Sequence, residues 1–138
     1  MTPRLRQLPL FYSPALLSAL ANVSAETLAI AEQLHRRVLA DGRSWLEVAL
    51  DESTAEAAEL GDVLGGSILR RAVRARHAAW RTAAEDGAPY QVIARAWRVC
   101  VPTVVRGVTG DRRRAAVAAE LHQAVELHVA GELAERAA

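Results

Sequence analysis

Helix-starting residues recur along this chain, each ahead of apolar side chains spaced three or four apart. That punctuation limits the fold more than any other feature. Ser13 followed by Pro14 opens the first such segment, expected to run to about Asn22. Ser24 opens the second, to about Asp41, with Leu28, Ala31, Leu34, Val38 and Leu39 on one side and Gly42 as its stop. A short helix is expected over about Ser44 to Leu50. Ser53-Thr54-Ala55-Glu56 has the spacing of a capping box and predicts another helix, ending near Gly61. Gly65-Gly66 break the chain, and Ser67 predicts a long helix to about Asp86. Pro89 starts the next, to about Arg98. A further one spans about Pro102 to Val108, and Asp111 caps the last, which runs almost to the end. No stretch alternates polar and apolar residues for long enough to suggest a sheet. Ala and Val are plentiful and aromatics few. The expectation is an all-α helical bundle whose helices pack closely through small side chains.

The 138 residues fit a single all-α domain with three sub-regions. Charge separates them. Residues 1–65 hold five arginines and nine acids, net −4. Residues 66–114 hold eleven arginines and three acids, net +8. Residues 115–138 hold one arginine and four acids, net −3. A basic middle between acidic flanks points to an anionic partner, against the plain alternative of a solvated, arginine-rich helix face. Every one of the 17 Lys+Arg positions is arginine, which suits a GC-rich genome and says little about function.

The start of the chain admits two readings. Arg4 and Arg6, an apolar stretch and Ala19-Leu20-Ala21 have the order of a cleavable export signal. Tyr12, Ser13 and Pro14 interrupt the apolar run, so the expectation is an extended arm leading into a first helix. No run of about 20 apolar residues is present, so no membrane span is expected. The single cysteine, Cys100, allows no internal disulfide and fits a reducing, cytoplasmic setting.

An internal repeat is suggested at an offset of 45 residues. "RRVLADGRSWLEVA" (36–49) sits against "RTAAEDGAPYQVIA" (81–94). In both, Asp-Gly ends one helix, an aromatic (Trp45, Tyr90) starts the next, and alanine (Ala49, Ala94) marks a tight contact.

The second copy continues as "PYQVIARAWRVCVPTVVRGVTG" (89–110). Ile93-Ala94 gives an apolar–small pair, Trp97 and Val99 flank a turn, and Val104 is placed to lock a second helix on the first. These residues, with Thr103, Arg106 and Gly110, resemble the helix-turn-helix of the lactose-repressor family. The preceding helix, "RARHAAWRTAAEDG" (74–87), is similar to the lead-in helix of many bacterial helix-turn-helix modules, so the likeness covers about 45 residues, and no sugar-binding domain. It implies that the Pro102–Val108 helix enters a DNA major groove, that two copies bind as a homodimer, and that the partner is double-stranded DNA. Base edges would face Val101, Pro102, Val105 and Arg106, of which only Arg106 can contact guanine bidentately. Phosphates would be held by Arg95, Arg98, Thr103, Arg112, Arg113 and Arg114. Two departures stand out: Arg98 occupies the turn position that usually holds Gly, and Cys100 the cap position that usually holds Ser. The first copy, "SWLEVALDESTAEAAELG", resembles the "SW-x-EVA" helix-turn-helix of actinobacterial proteins. Its second helix would carry Glu56 and Glu59, which repel phosphate, so a packing or protein-binding role is expected there.

Val117, Leu121, Val125 and Leu127 form an apolar stripe on the last helix, expected to make the dimer interface. His122 with Glu126 and His128 with Glu132 are i,i+4 pairs, and two His six apart share no metal geometry. No metal and no cofactor are expected. Cys100 lacks a base partner, Asp51-Glu52 is expected in an exposed turn, and there is no phosphate loop or nucleophile motif. The sequence therefore reads as a small DNA-binding transcriptional regulator rather than an enzyme. Two alternatives stay open: a helical interaction module of adaptor or antitoxin type, and a small all-α biosynthetic enzyme with a pocket near Tyr12, His35 or Trp80. No effector ligand is legible.

Overall fold

The computed structural model describes residues 12–137, with the backbone alone described for 111–115 and 137. The expected N-terminal arm, up to Phe11, lies outside these residues. The elements are α1 (Pro14–Ala19), α2 (Ala25–His35), α3 (Trp45–Ala55), α4 (Leu60–Leu64), α5 (Arg70–Glu85), α6 (Tyr90–Trp97) and α7 (Val101–Ala137). Among the described residues there is no strand, only an isolated bridge between Val38 and Ser44. The chain is all-α, as its punctuation predicts. It divides into two compact units between Val108 and Thr109.

Three serine caps form as expected. The hydroxyl oxygens of Ser13, Ser24 and Ser44 accept from the backbone N–H of Leu16, Thr27 and Glu47 at 3.2, 3.2 and 3.1 Å. Each satisfies an otherwise orphaned donor of a helical first turn. Pro14 follows Ser13 at the first helical position.

The first unit is built around α3 and α5, which lie along one another, with α2 packed on α3, α4 and α6. Ala72, Ala75, Ala79 and Ala83 recur every three or four residues along α5 and are all buried. Their small side chains let neighbouring helices approach closely. Leu34, Leu46, Trp80 and Ile93 fill the space between, each aliphatic contributing about 1.5–3 kcal/mol by leaving water. Trp80 meets Trp97 edge-on at 5.9 Å between ring centroids.

Several expected boundaries are corrected. α2 ends at His35, not near Asp41. The chain then makes a tight excursion in which Leu39 N–H donates to Arg43 O at 2.8 Å and Trp45 N–H to Arg37 O at 2.9 Å. Gly42, at φ 95°, sits in that turn and does not stop the helix, and Val38 is exposed. α3 runs on to Ala55, past the expected end at Leu50, so Asp51 and Glu52 are helical and not in a turn. Ser53 is not a cap. It is buried inside α3 and its hydroxyl donates to Leu50 O at 2.7 Å, because that helix face packs into the core. Glu56 ends α3 and Glu59 precedes the five-residue α4, so the first copy has no second helix bearing both acids. α1 stops at Ala19, short of Asn22, and α5 starts at Arg70, three residues after Ser67, whose Oγ accepts from Leu69 N–H at 3.2 Å. No helix starts at Asp111: the α7 backbone is continuous from Val101 to Ala137.

Parts of the proposed repeat do correspond. Gly42 and Gly87 share a left-handed backbone (φ 95° and 101°), Trp45 and Tyr90 are first residues of their helices, and Ala49 and Ala94 are both buried. Asp86 ties the two regions, its carboxylate oxygens accepting from Ala40 N–H at 3.3 and 3.1 Å.

One basic residue of the middle segment is internal. Arg76 is 8% exposed, and its guanidinium donates to the carbonyls of Val63 (2.8 Å), Asp62 (3.0 Å) and Ser67 (3.0 Å). It closes the C-terminal end of α4, where carbonyls lack helical partners and a cation suits the dipole.

Candidate nucleic-acid interface

α6 exists because Pro89 sets an extended start and Ile93, Ala94, Ala96 and Trp97 bury one face. It ends at Arg98, whose backbone is left-handed at φ 56°, ψ 44°. Val99 N–H reaches back to Ala94 O at 3.0 Å, so the chain reverses out of the helix within one residue. A three-residue turn, Arg98 to Cys100, then leads into α7. The residue usually placed at such a bend is glycine, since a Cβ costs about 1 kcal/mol or more there. This chain bends in the expected place with arginine.

α7 is held at its start by Val104 and Val108, both fully buried. Gly107 faces the body, where a Cβ would stand 2.8 Å from both His77 Cδ2 and Trp80 Cε3. The opposite face is open. Arg95, Arg98, Cys100, Val101, Pro102 and Arg106 are exposed, and Thr103 and Val105 are half-buried. The turn and the first two turns of α7 thus bring most of the sequence-derived contact residues onto one region. Among the described residues no carboxylate pairs with Arg95, Arg98 or Arg106. The side chains of Arg112, Arg113 and Arg114 lie outside the described residues.

Cys100 supplies a weak cap. Its Sγ lies 2.8 Å from Thr103 Oγ1. Hydrogen bonds from the Thr103 hydroxyl and backbone N–H, with Arg106 nearby, hold the thiol below its ordinary pKa.

Behind the turn lies a groove of about 240 Å³ lined by Ser24, Glu26, Thr27, Arg76, Arg98 and Val99, among others. No sequence signal marked it. Tyr12, His35 and Trp80 line neither this groove nor those beside Trp45, Leu60 and Leu69. Tyr12 instead meets the His35 ring at a tilt, 4.5 Å between centroids, and the His77 ring centroid lies 5.3 Å from that of Trp80. Among the described residues no cluster of His, Cys, Asp and Glu could hold a metal ion.

In the second unit Val117, Leu121, Val125 and Leu127 are all exposed, and Val129 and Leu133, which fall outside the stripe expected from sequence, are exposed with them. His122 and Glu126 meet at 2.9 Å, and His128 and Glu132 at 3.1 Å, on open helix surface. No helix among the described residues is long and apolar enough to cross a membrane.

No protein-family model matches the chain, and neither the curated proteins nor the solved structures hold a detectable relative.

Proposed function

We propose that the chain is a DNA-binding protein, a small bacterial transcriptional regulator acting in the cytoplasm as a homodimer through a helix-turn-helix formed by α6 and α7. The observation that carries this reading is the left-handed turn at Arg98, set between buried Ala94 and buried Val104, with the exposed guanidinium groups of Arg95, Arg98 and Arg106 around it. Among the described residues none of the three has a carboxylate partner. Exposed cations grouped around one turn suit a phosphate backbone. The start of α7 would lie in the major groove. Arg106 would read guanine, with Val101, Pro102 and Val105 offering only apolar contact, to a thymine methyl for example. Val105, being half-buried, would reach least. Arg95, Arg98, Thr103 and Arg112–Arg114 would hold phosphates.

Fluorescence anisotropy with a random-sequence duplex, titrated with salt, tests the reading. Micromolar binding with a steep salt dependence is expected. Replacing Arg112, Arg113 and Arg114 together by alanine should reduce the slope by about 0.9 for each phosphate that is no longer neutralised. Arg106→Ala should cost about 1–3 kcal/mol at a preferred site and relax the choice of base there. Absence of binding at low salt would overturn it.

A further inference from the structure

The second unit, Thr109–Ala138, exposes a run of large apolar side chains. Every residue from 116 to 136 is exposed, including Val117, Leu121, Val125, Val129 and Leu133, each between 46% and 62%. These five stand every fourth residue, so they form one continuous ridge slanting across the helix. A ridge of this kind packs against an identical ridge with the helices crossing near −50°. A long zipper is not available. Continuing a three-four repeat from Val117 and Leu121 brings Ala124, His128, Gly131 and Glu135 into the seam, which is polar or empty in its second half.

The sequence charges choose the direction. Asp111 with Arg112–Arg114 gives the start of the segment net +2, while residues 115–138 carry net −3. Parallel helices would set like ends together. Antiparallel helices turn the basic start of one toward the acidic end of the other instead of its like-charged start, and their dipoles are opposed, a bias that is largest at low salt.

We propose that the ridge is covered by the same ridge of a second copy, antiparallel and centred on Val125. Leu121 of each copy then lies beside Val129 of the other, and Val125 meets itself across the twofold axis, an isologous contact. The arrangement deepens the homodimer of the proposed function and does not depend on DNA binding.

The test uses the full chain. Sedimentation equilibrium should give a dimer of the 14.9 kDa chain. Val125→Glu, on exposed surface, should give the monomer mass with an unchanged thermal transition of the first unit's tryptophans. In a Cys100→Ser background, Val125→Cys should crosslink to itself on mild oxidation. Leu121→Cys alone should crosslink poorly, but readily when mixed with Val129→Cys. A monomeric wild-type chain overturns the interface and with it the dimer reading, whereas a dimer that survives Val125→Glu overturns the interface alone. Self-crosslinking of Leu121→Cys as fast as Val125→Cys overturns only the antiparallel direction.

Discussion

Gly107 lies against the Trp80 indole so closely that a Cβ at residue 107 would stand 2.8 Å from Trp80 Cε3 and 2.9 Å from Cζ3. This close approach seats the start of α7 on the Trp80 ring. Trp80 is itself fully buried and cannot retreat. Gly107→Ala is therefore expected to lower the melting temperature. Overpacking of about 1–3 kcal/mol should outweigh the gain of about 1 kcal/mol in helix propensity. At Gly131, where nothing lies within 4 Å of a built Cβ, the same change should raise helicity by circular dichroism. A Gly107→Ala protein more stable than wild type would show that α7 does not rest on Trp80.

Arg98 separates stability from function. Arg98→Gly removes a Cβ from a left-handed residue and should stabilise the fold by about 0.5–1 kcal/mol. It also removes an exposed cation from the proposed interface. DNA affinity should fall and the salt slope should shrink by about 0.9. Denaturant unfolding and anisotropy on the same protein read the two effects. A parallel fall in both would mean that the Arg98 side chain supports the turn.

Arg76 should prove structural. Arg76→Met leaves the carbonyls of Val63 and Ser67 without this donor, and Asp62 O with only the Ser67 N–H, at about 2–4 kcal/mol in urea unfolding. Burial pushes the guanidinium pKa below the usual arginine value, but the group stays charged. Arg76→Lys keeps the charge and cannot span three carbonyls, so it should recover only part of the stability. Full recovery by lysine would show that charge alone matters there.

Cys100 is set to react early. Its thiol pKa is lowered first by the Thr103 hydroxyl, so thiolate forms at lower pH than for a free cysteine. Alkylation by iodoacetamide followed against pH should show a midpoint below the ordinary cysteine value. Thr103→Val should move it upward, and an unmoved midpoint would remove Thr103 as the cause.

The candidate interface was legible where its determinants are local. Ala94, the turn, Val104 and Arg106 fall within thirteen positions of one another, and short-range sterics decide their arrangement. Even Arg98, unusual for its place, adopts the left-handed bend, because Val99 N–H can then satisfy Ala94 O. The groove beside Arg76 was not legible, since its walls come from α2, the α4–α5 loop, α5 and the α6–α7 turn.

What the sequence determined by itself is the helical character and those ends set by a side chain within three residues. Ser13, Ser24 and Ser44 cap as written because a hydroxyl needs only its own first turn. Ser53 carries the same signal and does not cap. Its helix face is buried, and continuing α3 hides Val48, Ala49 and Ser53 together. Tertiary packing decided that, as it decided that one arginine of a basic run would be internal. Caps are worth about 1 kcal/mol, and burying a helical face is worth more.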